Sequence, residues 1–331
     1  MTGRQRIVEH LNAALSAALA DDERLYLLGE DIADPYGGAF KVTRGLSTRF
    51  PERVLTTPIS ENGIVGLAGG LALAGDKAIV EIMFSDFVTL AFDPIVNFAA
   101  KSTTMYGRRV PIHLVVRCPT GGNRGYGPTH SQSLQKHFLG VPGLAVYELS
   151  PLHDSATVLA TMLGAGTPAL HFEDKSLYGG WLCRDGVVDD VFRFDLVGDL
   201  ARVFAVDPDD EVDCVLIAPG GLVPRAVTAM RELLLADEIV CHLLVPSRLY
   251  PLDVAPMAPA LSRARRVVVV EESTAGGTWG AEVAHAVRDV ARGPVTLVHS
   301  ADSVIPTAPH LERSVLVSPE TIRRGVREAL S

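Results

Sequence analysis

Several features are missing from this chain of 331 residues, and each absence removes a class of function. No stretch reaches the ~20 uninterrupted apolar residues that a membrane-spanning helix needs, so no bilayer span is expected. Basic residues are not in surplus, and a formal net charge of -9 argues against nucleic acid or an anionic membrane as partner. The four cysteines, Cys118, Cys183, Cys214 and Cys241, occur singly without a Cys-x-x-Cys pair. That spacing fits reduced core thiols better than disulfides or zinc, and no metal site is expected on this chain. Of the phosphate-binding words, Gly-x-x-x-x-Gly-Lys-Ser/Thr is absent. Gly63, Gly66 and Gly69 lie inside a helical stretch, not in the strand-to-helix turn of a dinucleotide fingerprint. There is no short-period repeat and no low-complexity tract. The opening segment MTGRQRIVEHLNAALSAALADDERL has the early arginines and alanines of a targeting peptide. Glu9, Asp21, Asp22 and Glu23 interrupt it, however, and its apolar residues recur at helical spacing, so a first amphipathic helix in a cytoplasmic protein is expected.

What is present reads as a soluble α/β protein. With 47% hydrophobic and 21% charged residues, the chain is long and apolar enough for two well-filled domains. Apolar runs at Leu25–Leu28, Ala78–Met83, Ile112–Arg117, Leu144–Tyr147 and Ala169–Phe172 read as strands, with helices near 4–20, 61–74, 88–104 and 153–164. This alternation predicts a parallel sheet covered on both faces, a doubly wound domain over 1–177 that binds ligands beyond the carboxyl ends of its strands. Between 178 and 212 the pattern breaks into Gly-Gly, single aromatics and the acids Asp207, Asp209, Asp210 and Glu211, which reads as a linker. A second doubly wound α/β domain follows over 213–331. Its strands are expected at Val215–Ala218, Ile239–Leu244, Arg266–Glu271 and Val295–His299, and its helices at 223–236, 279–291 and 319–330.

The most informative stretch is Thr57-Pro58-Ile59-Ser60-Glu61-Asn62-Gly63-Ile64-Val65-Gly66. After Glu61 the next charge is Asp76, so the helix is expected to be buried and closely packed through its glycines, with Glu61 as its one strong acceptor. Ser60 could cap that helix and Glu61 merely complement its dipole. Alternatively, Glu61 is a buried acid placed for chemistry.

The order of words around it resembles the β subunit of the E1 component of 2-oxo acid dehydrogenase complexes, thiamine-diphosphate enzymes with a transketolase-like architecture. The resemblance is carried by Leu28-Gly29-Glu30-Asp31, by Gly37 to Leu46, by Thr57 to Gly66, and by EIMFSDF at Glu81 to Phe87. Ala91-Phe92-Asp93, Ile95-Val96-Asn97, Ala99-Ala100-Lys101, Thr129-His130-Ser131-Gln132-Ser133 and Pro142-Gly143-Leu144 continue it. PSRLYPLD at Pro246 to Asp253 and EESTAGGTWGAEVA at Glu271 to Ala284 extend it over nearly the whole chain. It implies a pyrimidine-binding first domain and a transketolase-C-like second domain. The Gly-Asp-Gly and distant Asn pair with which such enzymes hold magnesium and diphosphate are missing here. The resemblance therefore implies the second half of a divided site, with Mg2+ and the diphosphate held mainly by an α-type partner in an α2β2 assembly.

The cofactor's chemistry explains why this half needs a carboxyl group. An acid hydrogen-bonded to N1′ of the aminopyrimidine favours the imine tautomer that accepts the C2 proton, and an apolar helix start raises a carboxyl pKa towards neutrality. Glu61 matches the family residue in that role. Phe87 is implied as a ring packed on the aminopyrimidine, and Glu30 and Glu81 as acids between the cofactors of the assembly, although a solvated loop or an Arg or Lys partner explains those two equally well. His130 follows the glycine-rich approach Arg124-Gly125-Tyr126-Gly127-Pro128-Thr129, and loops on an α/β scaffold are where chemistry gathers. The resemblance implies that His130, with Gln132 beside it, faces the substrate and the incoming lipoyl group. A structural K+ on carbonyl oxygens around Leu144 to Asp154 is also implied.

Two words depart from the pattern. Gly-Pro-Thr-His resembles the corresponding loop of transketolase, and Pro94 replaces a glutamine common in the family. These departures leave the substrate open, while the resemblance as a whole implies oxidative decarboxylation of a 2-oxo acid with acyl transfer to a lipoyl-bearing E2. One alternative is a ketol transferase taking a sugar phosphate donor and a carrier-protein acceptor, with Arg124 and Lys136 as candidate phosphate cations. Another is a non-catalytic scaffold.

Overall fold

The computed structural model describes residues 5–331, which divide into two compact units. Residues 5–120, 137–149 and 153–182 form the first, and residues 121–136, 150–152 and 183–331 the second. No helix among the described residues is long and apolar enough to cross a membrane.

In chain order the first unit contains α1 (Ile7–Asp21), β1 (Leu25–Gly29), α2 (Leu46–Arg49), β2 (Val54–Thr56), α3 (Glu61–Ala74) and β3 (Lys77–Glu81). A 3-10 segment (Ser85–Ala91) and a π-helical segment (Pro94–Ala99) lead into α4 (Ala100–Ser102), followed by β4 (Leu114–Thr120), β5 (Ala145–Glu148), α5 (Ser155–Gly164) and β6 (Ala169–Asp174). Six strands pair in the order β5-β6-β4-β3-β1-β2, and every neighbouring pair is parallel. A parallel sheet is covered on both faces, which is why β4 (LVVRCPT) is buried at every position. Helix α1 turns Ile7, Leu11, Ala14, Leu15 and Leu19 to the core and packs against α5.

Two helical expectations need correction. Helix α3 runs over the expected residues and ends at Gly75 (φ +104°), but it is buried along one face only. Gly69 does pack closely, since a Cβ there would lie 2.7 Å from the Phe98 ring, whereas Gly66 and Gly70 face open space and Leu67 is 55% exposed. The uniform apolarity of α3 therefore gives one face to its own core and leaves the other outward. The single helix expected over 88–104 is wound as three segments. The chain stays helical across Pro94, which stands at the start of the π-helical segment where its missing N–H costs no intrahelical bond, and the departure from a regular helix is the 3-10 winding over 85–91 and the π winding over 94–99.

The second unit contains β7 (Arg193–Val197), β8 (Leu200–Phe204), β9 (Val212–Ile217), α6 (Val223–Asp237), β10 (Cys241–Pro246), β11 (Arg248–Tyr250) and α7 (Ala258–Arg263). It continues with β12 (Ala264–Glu271), α8 (Trp279–Val287), β13 (Val295–His299), α9 (Pro309–Val315) and α10 (Pro319–Leu330). Its sheet has the order β13-β12-β9-β10-β8-β7. The first four of these are parallel, while β8 runs antiparallel to both β10 and β7. Strands β7 and β8 lie within 178–212, the stretch expected to be a linker. The turn at Gly198 (φ +65°) folds them into a hairpin whose inner residues Phe194, Ala201 and Val203 join a core with Leu216, Met230, Leu243 and Val268. Helix α10 packs on α6, and Asp237 receives both Arg323 and Arg327. Cys118, Cys214 and Cys241 are buried, Cys183 is half-buried, and none forms a disulfide.

Candidate active site

Because the strands of the first sheet are parallel, their carboxyl ends share one edge, and the segments leaving them deliver acids to that edge. Glu30 follows β1, Glu81 ends β3, and Glu61 opens α3 after the connection from β2. Ser60 stands at the N-cap of α3 without a side-chain cap bond, so the start of the helix is left to Glu61. Both Glu61 (6% exposed) and Glu30 (4%) are buried. Glu30 Oε1 has no hydrogen-bond partner among the described residues. Burial pushes the Glu30 carboxyl up to about 7, helped by the nearby charges of Glu61 and then Asp31. Two buried carboxyls, Glu30 and Glu61, are thus brought within electrostatic reach of each other.

Glu81 has a committed partner. In the parallel register Glu81 stands opposite Arg117, and Arg117 opposite His171, so all three share one level of the sheet. Arg117 donates to Glu81 Oε2 (2.7 Å) and grips Glu173 with two parallel bonds of 2.7 Å, in a wholly buried site. Glu173 also accepts from the Tyr178 hydroxyl (2.7 Å) and lies 3.0 Å from His171 Nδ1. Burial alone would raise both carboxyls. For Glu81 it prevails, and the pKa rises, whereas Arg117 and His171 together hold Glu173 down at about 2. The contrast follows from the bonding: Glu173 takes the guanidinium fork and two further partners, Glu81 a single bond. Glu81 is thus not on a solvated loop but paired with an arginine. Arg117 and Glu173 carry no signal in the sequence beyond being charges inside apolar strand words.

Phe87 lies half-buried in the 3-10 segment, its N–H bonded to Phe84 O (2.9 Å), and α3 packs against that segment. Phe84 stacks edge-on against Phe40 (5.7 Å between centroids), and Lys175 Nζ lies 5.2 Å above its ring.

The remaining candidates belong to the second unit. His130 is half-buried in a loop whose base is closed by Gly121 N–H donating to Gln132 O (3.3 Å). Its Nδ1 is 3.0 Å from Thr129 Oγ1. Gln132 is half-buried and Arg124 is exposed. Lys136 Nζ donates to Thr274 O (3.1 Å), Thr274 Oγ1 (3.0 Å) and Gly276 O (3.2 Å), so its charge holds the 274–276 loop.

Residues 5–179 match the transketolase pyrimidine-binding domain and residues 205–322 the transketolase C-terminal domain. The chain is 33% identical to the pyruvate dehydrogenase E1 component subunit beta of Leifsonia xyli, covering 98% of this chain and 94% of that protein. It is 31% identical to the 2-oxoisovalerate dehydrogenase subunit beta of Bacillus subtilis, covering 97% of each. The chain belongs to the E1 β-subunit family of 2-oxo acid dehydrogenases. Among solved structures, a split-gene transketolase described as an inactive beta4 tetramer superposes with a TM-score of 0.74 at 19% identity over 97% of both chains, a likeness of fold. Membership in the E1 β-subunit family implies thiamine diphosphate as cofactor, and the first unit offers groups suited to it. An aminopyrimidine presents several nitrogen sites for hydrogen bonds, and the orphaned Oε1 of Glu30 and the buried Glu61 are polar groups that such a ring would satisfy.

Proposed function

We propose that this chain is the β subunit of a thiamine-diphosphate-dependent E1 that works in the cytoplasm with an α-type partner as α2β2. It decarboxylates a 2-oxo acid oxidatively and passes the acyl group to a lipoyl-bearing E2. The observation that carries this reading is the pair of buried carboxyls, Glu30 with its proton affinity lifted to about 7 and Glu61 at the mouth of α3. Burial and then the charge of Glu61 raise the Glu30 carboxyl, so Glu30 keeps a proton available near neutral pH.

Bound thiamine diphosphate supplies the electron sink for decarboxylation. Glu61 holds a proton at N1′ of the aminopyrimidine, Glu30 stands beside it as a second buried acid, and Phe87 offers a ring face to the heterocycle. Glu81, tied to Arg117, keeps the carboxyl edge in register. His130 and Gln132 present hydrogen-bonding groups to the substrate and the lipoyl acceptor. The α-type partner holds Mg2+ and the diphosphate, and carbonyl oxygens around 144–154 hold K+. The ketol-transferase alternative needs free cations for a donor phosphate, and the commitment of Lys136 to Thr274 and Gly276 weakens it.

The test is reconstitution with the α-type partner. The chain alone should bind thiamine diphosphate negligibly, and the assembled enzyme should reduce an artificial acceptor with pyruvate or a branched-chain 2-oxo acid. Glu61→Gln keeps the shape and a hydrogen bond but not the shareable proton. Assembly should survive while C2 proton exchange slows by a factor on the order of 10². Turnover of ketose phosphates with silence towards every 2-oxo acid would overturn the reading.

A further inference from the structure

We infer that Glu312 is a positioning residue for His130, acting by gripping the backbone of the loop that carries the imidazole. Alternate residues of that loop, Gly121 (φ +83°), Asn123 (+65°), Gly125 (+68°) and Gly127 (+79°), adopt the left-handed conformation. Left-handed residues at every second position turn backbone N–H groups to a common side and form a concavity that receives an anion. Glu312 supplies that anion from α9. Its Oε1 accepts from Asn123 N–H (2.9 Å) and its Oε2 from Gly125 N–H (3.1 Å). At 2% exposure the carboxylate has lost its water, so these bonds compensate its burial as much as they order the loop.

The fit along the loop agrees. A Cβ at Gly122 would lie 2.5 Å from Leu316 Cδ1 and 3.1 Å from Glu312 Oε1, one at Gly125 3.2 Å from Thr307 O, and one at Gly127 2.7 Å from Thr307 Oγ1. The glycines are there because the loop lies directly on the 307–316 segment, with Glu312 as the charged stake in the middle. His130 begins three residues beyond the last of these contacts and bonds back to it through its N–H to Gly127 O (3.4 Å). The gripped backbone therefore contributes to the placement of the imidazole. Displacing a reacting group by even ~1 Å costs on the order of 10²-fold in rate, so the grip matters for chemistry as well as for folding.

This inference rests on the reading of His130 as the group facing substrate and lipoyl acceptor. It is tested on the enzyme reconstituted with its α-type partner, comparing wild type, Glu312→Gln and Glu312→Asp. Glutamine is isosteric but leaves one acceptor and sets an amide NH2 against the other N–H. Arg124 lies between the two gripped amides, so trypsin cleavage after it should rise about tenfold or more in Glu312→Gln, since cleavage follows the population of the released loop. Acyl transfer to the lipoyl acceptor should fall at least about tenfold, while C2 proton exchange of bound cofactor, which depends on Glu61, stays within about twofold. Glu312→Asp, which keeps the charge, should recover part of both losses. Unchanged protection of Arg124 in Glu312→Gln would overturn the grip. Equal losses of C2 exchange and acyl transfer would show a general structural defect and overturn the positioning role. If the wild-type enzyme proves inert towards lipoyl acceptors while Arg124 still becomes cleavable in Glu312→Gln, the role assigned to His130 fails and the inference fails with it.

Discussion

Replacing Glu30 by Gln should stabilise the chain above neutral pH and leave its stability unchanged in acid. In the unfolded chain this carboxyl ionises near 4.5, whereas in the folded chain burial and then Glu61 raise it to about 7. Between those values the folded state binds more protons than the unfolded state, so stability falls as pH rises through the window and levels off above about 7. At about 1.4 kcal/mol per pH unit the interval sets an upper bound on the order of 3 kcal/mol, lowered by solvent screening, with the cost present above pH 7 and absent below about 4.5. A glutamine never ionises and so escapes the cost, and it fills the same volume. Urea unfolding of wild type and Glu30→Gln from about pH 4 to about pH 8 should show two stabilities that coincide in acid and diverge towards neutrality. In a Glu61→Gln background the gap should narrow, because the second cause is gone, but not close, because burial, the larger cause, remains. Parallel stability curves for wild type and Glu30→Gln across the whole range would refute the assignment of a raised proton affinity to Glu30.

Arg117→Met removes the cation from between two buried acids and should cost about 3–5 kcal/mol in denaturant unfolding, with Glu173→Gln in the same chain restoring part of it. A double variant no more stable than Arg117→Met alone would sink the claim that an uncompensated charge, not lost packing, is responsible. Gly143→Ala meets both a left-handed backbone (φ +79°) and a Cβ position 2.5 Å from Ala100 O, whereas Gly140→Ala meets a similar φ (+74°) in open space. Both should destabilise, Gly140→Ala by about 1–2 kcal/mol and Gly143→Ala by clearly more, as read from thermal unfolding; equal effects would show that the close approach of Ala100 O adds nothing.

Helix α3 is legible from local sequence, because an uncharged run too long for a strand and closed by Gly75 pairs its own backbone groups most readily as a helix. Strand words such as LHFED and VVVVE are legible locally as well. The β7–β8 hairpin carries its own signal, alternation either side of Val197-Gly198-Asp199, but the acids that follow mask it as linker. These are local matters, settled by chain geometry within a few residues. What the sequence does not decide is which charges meet. Glu81 finds Arg117 because two parallel strands pair in one register and not the next, and a slip of one residue would turn the side chains to opposite faces. Glu30 carries a raised proton affinity because separate segments converge on one dry edge of the sheet. Glu312 reaches Asn123 across 189 residues of chain. Desolvation and Coulomb energies depend on what surrounds a group in space, so the sequence determined most of the elements and named Glu30, Glu61, Glu81 and His130 as candidates, and only the tertiary structure decided the partners of Glu81, the raised proton affinity of Glu30 and the grip of Glu312.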